Sequence, residues 1–133
     1  MEIINKENIL EKICYINDNE FYINYPHFKL FANTDTFNII TEHIISTISK
    51  ILETCELFIF HFDVKGISLK DIDKYYNYCV YLSIIMKEKF PDKLQKCYVY
   101  NSTELFKILY SGFSIFIDKK TRNKFQFIDT GIC

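Results

Sequence analysis

Two hydrophobic periods alternate along this 133-residue chain, and together they predict strands separated by helices. Residues 57–62 are apolar almost without interruption, which is typical of a central strand of a parallel sheet covered on both faces. Residues 97–100 alternate small apolar residues with tyrosine, as expected of a strand whose second face meets something partly polar and could line a cavity. Residues 125–128 form the last predicted strand.

Helical spacing of apolar residues fills the stretches between these strands. From residue 33 onward, one stripe predicts a helix of about twenty residues, with Thr34 or Asp35 available to cap it. Ser68 and Asp71 resemble a capping box at the start of the next helix, which Pro91 stops. The stripe of that helix is predicted to comprise Leu69, Ile72, Tyr76, Cys79, Val80, Ser83, Met86, Lys87 and Phe90. A third helix follows residues 101–104, and Gly112 is expected to loosen its end.

The N-terminal quarter predicts smaller elements. Apolar residues between 3 and 13 recur at helical spacing, and residues 17–20 are turn formers flanked by β-favouring residues, which indicates a hairpin. Pro26 interrupts that pattern, and a short strand is predicted over residues 28–32. Helices that separate three strands imply βαβαβ crossovers of right-handed sense. The chain is therefore predicted to be one α/β domain, residues 1–133, with a mainly parallel central sheet.

Composition narrows the functional classes. A net charge of −1 gives no general attraction to nucleic acid, so no nucleic-acid partner is expected. Five cysteines without a CxxC pair suggest reduced thiols and, with no secretory signal or membrane-spanning run, a cytoplasmic protein. The sequence contains no GxSxG, GxxxxGK[ST], GxGxxG or HExxH motif. We therefore expect no catalytic residues, no cofactor and no enzyme activity.

Two groups of residues are candidates for contact with other molecules. Ligands of open α/β sheets usually lie beyond the carboxyl ends of the strands, so Asp63 and Gly66 are candidates for a functional rim, although Gly66 could simply permit a turn while Asp63 accepts amide hydrogen bonds. His61 shares a strand face with Asp63, but no third ligand is visible nearby, so no metal site is predicted. Basic residues follow residue 118 and could contact an anionic lipid or a phosphorylated partner, or form a solvated turn. They are Lys119, Lys120, Arg122 and Lys124.

The order of several short segments resembles the CRAL-TRIO family of lipid-binding and phosphatidylinositol-transfer-like proteins. The segments are Asp63-Val64-Lys65-Gly66-Ile67-Ser68-Leu69, Phe90-Pro91-Asp92-Lys93-Leu94, Asn101-Ser102-Thr103, Leu105-Phe106 and Phe116 to Phe125. The resemblance covers residues 57–128, and it implies non-enzymatic binding or transfer of a lipid or another small hydrophobic molecule. Thr103, Ile115 and Phe125 depart from the family pattern. The family also continues into a gating helix, so this chain is expected to be a CRAL-TRIO-like core lacking the C-terminal gate region.

The resemblance leaves two hypotheses open. In the first, a ligand binds the sheet face that carries Tyr98 and Tyr100; the expected ligand-binding residues are Phe60, His61, Phe62, Asp63, Lys65, Tyr98, Tyr100 and Asn101. Because a half-open pocket should hold a lipid poorly, a homodimer could replace the missing lid. In the second, the domain is a pocketless protein-interaction module like the BCH subgroup of the superfamily. A transient contact with a membrane surface stays open in both.

Overall fold

The computed structural model describes residues 6–128, which form a five-stranded sheet with helices. The helices are α1 (Lys6–Ile13), α2 (Tyr25–Phe31), α3 (Phe37–Leu52), α4 (Leu69–Lys89), α5 (Glu104–Phe113) and α6 (Lys119–Arg122). The strands are β1 (Cys14–Asn17), β2 (Glu20–Asn24), β3 (Phe58–Asp63), β4 (Leu94–Tyr100) and β5 (Phe125–Ile128). A 3-10 turn, Ser114–Phe116, joins α5 to the segment before α6.

The sheet follows the chain order from β1 to β5, and this order determines where the helices lie. Strand β1 is antiparallel to β2 in the predicted hairpin, and β2 to β5 are parallel. Right-handed crossovers between parallel strands that advance in one direction put every connection on the same side of the sheet. The predicted βαβαβ core and mainly parallel sheet are thus confirmed.

One prediction about the sheet was wrong, because the helices within residues 6–128 cover the central strand on one face only. Phe58, Phe60 and Phe62 of β3 pack into the two hydrophobic clusters that the helices complete. Ile59, His61 and Asp63 point to the other face and belong to neither cluster. We call the first the helix face and the second the open face. Ile59 lies between the phenylalanines and makes the apolar run almost continuous, although its side chain is on the open face.

The segment predicted as a strand over residues 28–32 is instead helix α2. Pro26 lies in the first turn of this helix, where its missing N–H breaks no helical hydrogen bond. Asn24 is the N-cap, and its side-chain oxygen accepts a hydrogen bond from the amide of His27 at 2.9 Å. Phe28 is buried against the tyrosines of α4. The proline therefore begins a helix here instead of interrupting a strand.

Of the caps predicted for the two long helices, the cap of α3 was wrong and the cap of α4 was correct. Helix α3 begins at Phe37, later than predicted, and neither Thr34 nor Asp35 caps it; Asn33 accepts from the amides of Asp35 and Thr36 in the preceding turn. The capping box of α4 is confirmed. The Ser68 hydroxyl accepts from the Asp71 amide at 3.3 Å, and the Asp71 carboxylate accepts from the Ser68 amide at 3.1 Å.

The buried side of α4 lies about one residue away from the predicted stripe. Its most deeply buried residues are Asp71, Tyr75 and Tyr78, while Leu69 is 71 % exposed. Cys79 and Met86 are only half-buried. Helix α4 packs on α3 and on α5, so two of its faces are partly covered and its buried side is not a single stripe.

Gly112 lies in the last turn of α5, and the ring of Tyr76 on α4 approaches it closely. A Cβ atom at this position would lie 2.7 Å from Cε1 of Tyr76, which is closer than carbon atoms pack. The Tyr76 hydroxyl also donates a hydrogen bond to the Gly112 carbonyl at 3.4 Å. Gly112 is therefore required for the close approach of α4 and α5.

We expect Gly112→Ala to destabilise the protein by about 1 kcal/mol, because the steric cost exceeds the gain in helix propensity. Urea unfolding followed by circular dichroism measures this change. In a Tyr76→Leu background the same substitution should become neutral or stabilising, since the contacting ring is gone. Destabilisation of equal size in both backgrounds would contradict the steric explanation.

The remaining elements agree with the sequence. Residues 118–124, predicted as a charged turn, contain the single helical turn α6, and the Asp118 carboxylate caps it by accepting from the Thr121 amide at 2.8 Å. Strand β5 spans the predicted residues. Cys14 and Cys97 are buried free thiols, whereas Cys55 and Cys79 are half-buried. None of the described helices combines the length and apolar character needed to cross a membrane.

Candidate functional site

A cavity of about 370 Å³ lies between the helix face of the sheet and helix α4. Phe58, Phe60 and Phe62 of β3 form its floor. The helices contribute the opposite wall, with Leu82 and Met86 on α4. Other lining residues with apolar or aromatic side chains are Ile23, Tyr25, Phe28, Ile44, Val64, Ile67, Tyr75, Tyr78, Cys79, Phe90, Leu94, Cys97, Phe106, Leu109, Phe113, Ile117 and Phe125. The size is within the range of about 300–1,000 Å³ that is typical of small-molecule sites.

The opening of this cavity lies at the amino ends of the parallel strands. Its four exposed lining residues are Lys87, Pro91, Asp92 and Asp118, which precede β4 or β5. Lys124, which also lines the cavity, directs its ammonium group to the carbonyl of Leu94. Polar and charged groups are therefore concentrated at the opening, while the interior is apolar.

Polar groups within the cavity wall are paired, except for the buried Tyr25 hydroxyl, which has no hydrogen-bond partner within residues 6–128. The Ser83 hydroxyl donates to the Cys79 carbonyl at 2.7 Å, and the Tyr78 hydroxyl is paired with the Thr41 hydroxyl at 2.8 Å. Burial raises the pKa of the Cys79 thiol to about 12 and also raises the pKa of Tyr78, so both stay protonated at neutral pH. The interior thus offers apolar contacts and no free charge.

The open face carries a row of stacked aromatic rings that crosses four strands. Tyr15 stacks on Tyr22 with ring centroids 4.9 Å apart, and Tyr22 stacks on His61 at 4.4 Å. On the other side, His61 stacks with Tyr98 at 5.3 Å and with Tyr100 at 5.7 Å. A smaller cavity of about 210 Å³ lies beside this row, between Tyr15 and Asp63.

His61 is hydrogen-bonded at both ring nitrogens. Nδ1 lies 2.7 Å from the Tyr100 hydroxyl and Nε2 lies 2.8 Å from Oε1 of Glu20. Burial, followed by the charges of neighbouring tyrosines and Glu20, raises the pKa of Tyr100, so its hydroxyl keeps its proton and can donate to Nδ1. Nε2 then carries the ring proton and donates a hydrogen bond to Oε1 of Glu20. These contacts hold the imidazole in one orientation and join β2, β3 and β4.

The predicted ligand-binding residues are divided between two faces and an edge. Phe60 and Phe62 line the large cavity, whereas His61, Tyr98 and Tyr100 lie on the open face. The prediction that a ligand binds on the open face stays a prediction.

The expected rim at the carboxyl ends of the strands is present as a hydrogen-bonded edge. Asp63 accepts from the Asn101 side chain at 2.7 Å and from the Lys65 amide at 3.1 Å, while Lys65 itself is exposed. Gly66 has φ +86°, a conformation that favours glycine. The large cavity opens at the opposite ends of the strands.

Sequence reasoning missed most of the helical wall of the cavity. Cys79, Ser83 and Met86 were recognised as one helix face, but the pattern of a core helix and that of a cavity-lining helix are the same. A weak signal was present in Ser83, since a serine is unusual on a stripe that is packed tightly.

Metal binding receives no support from the described part of the chain. Across residues 6–128, no group of three or more His, Cys, Asp or Glu side chains is placed to hold a metal ion. The smaller cavity beside His61 is lined by a single carboxylate, Asp63.

The protein is an α/β domain with an apolar cavity between its sheet and its helices, and comparison with known families identifies the kind of domain. A family model described as the CRAL/TRIO domain matches residues 12–131, which is most of the chain. The chain therefore belongs to the CRAL/TRIO domain family, and the resemblance found in the sequence is confirmed. Among curated proteins, none matches this sequence.

A solved structure has the same fold. The crystal structure of Sfh5 is similar to this chain with a TM-score of 0.76 at 20 % sequence identity. The similarity covers 96 % of this chain and 50 % of the Sfh5 chain, so the chain spans about half the length of that protein. Similarity at this identity shows a shared fold.

Proposed function

We propose that this CRAL/TRIO domain binds a single-chain lipid or another slender hydrophobic molecule in the cavity between α4 and the sheet. The observation that carries the proposal is an apolar cavity whose charged lining residues lie at its opening. Membership of a family known for lipid binding supports the same class of ligand. The ligand is thus assigned to the helix face, and not to the open face on which sequence reasoning placed it.

The cavity size favours a ligand with one acyl chain. At about 370 Å³ the cavity lies near the lower end of the range of about 300–1,000 Å³ that is typical of small-molecule sites. A bound chain gains roughly 0.8 kcal/mol for each methylene group that is removed from water.

The opening supports an amphiphile oriented with its polar end outward. Lys87 and Lys124 lie there together with Asp118, whose pKa is lowered mainly by hydrogen bonds from Thr121 and further by the charges of both lysines. The polar end of a ligand would meet charges of both signs at this place, two ammonium groups and the carboxylates of Asp92 and Asp118. The buried phenylalanines would contact only the chain.

Extraction of the purified protein identifies the ligand directly. We expect organic solvent to release a stoichiometric single-chain amphiphile, detected by mass spectrometry, from protein purified without detergent. Repeated extraction without any lipid, together with no uptake of a fluorescent fatty acid, would refute the proposal. A lipid-free protein that binds one defined protein partner would instead support the alternative of a pocketless interaction module.

A bulky side chain that fills the cavity should weaken ligand binding. We expect Ser83→Phe to weaken binding of a fluorescent fatty acid at least tenfold, because the ring occupies space between α4 and the floor of the cavity. The protein should stay folded, since the ring enters an apolar cavity that already exists. Fluorescence titration measures the affinity, and circular dichroism checks the fold.

A variant on the open face is the matched control. Tyr98 stacks on His61 and does not line the large cavity, so Tyr98→Ala should change uptake less than twofold. If Tyr98→Ala weakens uptake as much as Ser83→Phe, the ligand lies on the open face and the assignment to the cavity is wrong.

A further inference from the structure

One buried hydroxyl on the wall of the large cavity has no hydrogen-bond partner within residues 6–128. It belongs to Tyr25, which is 3 % exposed and lines the cavity. The other two tyrosines of the lining are paired, since the Tyr75 hydroxyl donates to a backbone carbonyl at 3.4 Å and the Tyr78 hydroxyl bonds to a threonine. Buried tyrosine hydroxyls usually have a partner, because burial removes their hydrogen bonds to water. A molecule bound in the cavity can supply the partner of Tyr25.

Tyr25 lies at the end of the cavity opposite its opening. The residue follows the carboxyl end of β2, and Val64 and Ile67, which follow β3, also line the cavity. Because the opening is at the amino ends of these parallel strands, a ligand that reaches Tyr25 extends along β3, about 20 Å for six residues. A slender chain with its head group at the opening thus brings its far end to Tyr25.

The surroundings of Tyr25 determine which group it can bind. Burial raises the pKa of Tyr25 and the nearby Asp71 carboxylate raises it further, so the hydroxyl keeps its proton and can donate. Asp71 makes no hydrogen bond with it and is already paired with Lys29 at 3.0 Å. An anionic group on the ligand would be repelled by Asp71, and a cationic group would be buried without a counter-charge. A neutral oxygen remains, which accepts from Tyr25.

We propose that the molecule held in this cavity is an oxygenated single-chain lipid, whose far end carries a neutral hydroxyl or carbonyl oxygen that accepts a hydrogen bond from Tyr25. This inference rests on the proposed function, since it places its ligand in the same cavity, and it adds Tyr25 as the residue that determines specificity. A chain that ends in a methyl group leaves the tyrosine hydroxyl unpaired. A site that hydrogen-bonds an oxygen discriminates against the analogue that lacks it.

Competition between two fatty acids that differ by one oxygen tests the proposal. We expect the wild-type protein to bind 16-hydroxyhexadecanoic acid at least fivefold more tightly than hexadecanoic acid, measured by displacement of a fluorescent fatty acid. In Tyr25→Phe the order should reverse, because the ligand hydroxyl is then buried without a partner. Equal affinities in the wild type, or an unchanged order in Tyr25→Phe, would overturn the inference and leave the proposed function intact. If neither acid binds the wild type, the proposed function itself fails.

Tyr78→Phe is the matched control, because it removes a hydroxyl from the same cavity wall that already has a partner. It should keep the wild-type preference for the hydroxylated acid. Urea unfolding of the lipid-free proteins gives a second readout. Tyr78→Phe should lower the urea midpoint, whereas Tyr25→Phe should leave it unchanged or raise it, since no hydrogen bond is lost. A lower midpoint in Tyr25→Phe would show that its hydroxyl is already bonded within the protein, and the inference would be wrong.

Discussion

Replacing Phe106 by alanine should destabilise the protein by about 3–5 kcal/mol, the largest effect that we expect from any single substitution. Phe106 is 2 % exposed and joins three elements of the core. Its ring packs edge-on against Phe62 of β3, at 5.9 Å between centroids, and contacts Phe127 of β5 at 6.2 Å. Because a domain of this size is stable by only about 5–15 kcal/mol, much of the folded population could be lost.

Urea unfolding monitored by circular dichroism measures the effect of Phe106→Ala. Ile108 is the control on the same helix, since it is 59 % exposed, and Ile108→Ala should change stability by less than about 0.5 kcal/mol. Similar losses in the two variants would show that Phe106 does not join α5 to the sheet as described.

The same substitution links stability to the proposed ligand. Phe106 lines the cavity, so its removal enlarges the apolar space between the helices and the sheet. A ligand that binds only the folded state stabilises it according to its concentration. If the cavity is the binding site, a saturating fatty acid should restore part of the stability lost in Phe106→Ala, and it should have no such effect on Ser83→Phe.

Much of this fold could be predicted from the sequence, because its strongest signals are local. The apolar run at β3 and the capping box of Ser68 and Asp71 depend on neighbouring residues, and both were located correctly. The hairpin of β1 and β2 follows from turn residues that flank β-favouring segments. The topology then followed from the handedness of the crossovers.

Other features could not be predicted because they depend on contacts between distant residues. Pro26 permits either a break or the start of a helix, and the choice is made by Asn24 as N-cap and by burial of Phe28 against α4. Gly112 was assigned a local role, whereas the structure uses it to admit the ring of Tyr76 from another helix. Spacing along one segment carries no information about such partners.

The location of the candidate site also depends on contacts between distant residues, so the sequence did not predict it. Alternation along β4 separates Cys97 and Val99, which meet the helices as expected, from Tyr98 and Tyr100, but it cannot indicate on which of these faces a cavity lies. The partly polar character of the tyrosine face therefore predicts a ligand there. The structure places a large apolar cavity on the other side, lined by β3 side chains that were also among the predicted residues.

A buried carboxylate, that of Asp71, lies in the first turn of α4. Asp71 is 5 % exposed, and its Oδ2 lies 3.0 Å from the ammonium group of Lys29 on α2. Oδ2 also accepts the hydrogen bond from the Ser68 amide. Burial alone would raise the pKa of Asp71, but the nearby Tyr25 hydroxyl, the ammonium group of Lys29 and the hydrogen bond from the Ser68 amide together outweigh it, so the pKa is lowered from its usual value.

Replacing Asp71 by alanine should cost about 2–4 kcal/mol at pH 7. The substitution removes half of the capping box and leaves the Ser68 amide without its acceptor. It also leaves Lys29 without its partner, although that ammonium group is partly exposed and can be solvated by water. Thermal and urea unfolding measure the loss, and Asp73→Ala, an exposed position of the same helix, should change stability by less than about 0.5 kcal/mol.

The charge of Asp71 should also make stability depend on pH. Since its pKa is lower in the folded than in the unfolded state, the ionised carboxylate stabilises the fold above the unfolded value near 3.8, and this contribution disappears as the pH falls through the lower folded value. In Asp71→Asn the amide oxygen can still accept from Ser68, but the titration is absent. The difference in stability between wild type and Asp71→Asn should therefore be constant from pH 7 to about 5 and shrink below about pH 4. A difference that stays unchanged down to pH 2 would show that the two proteins differ in packing and not in the charge of Asp71.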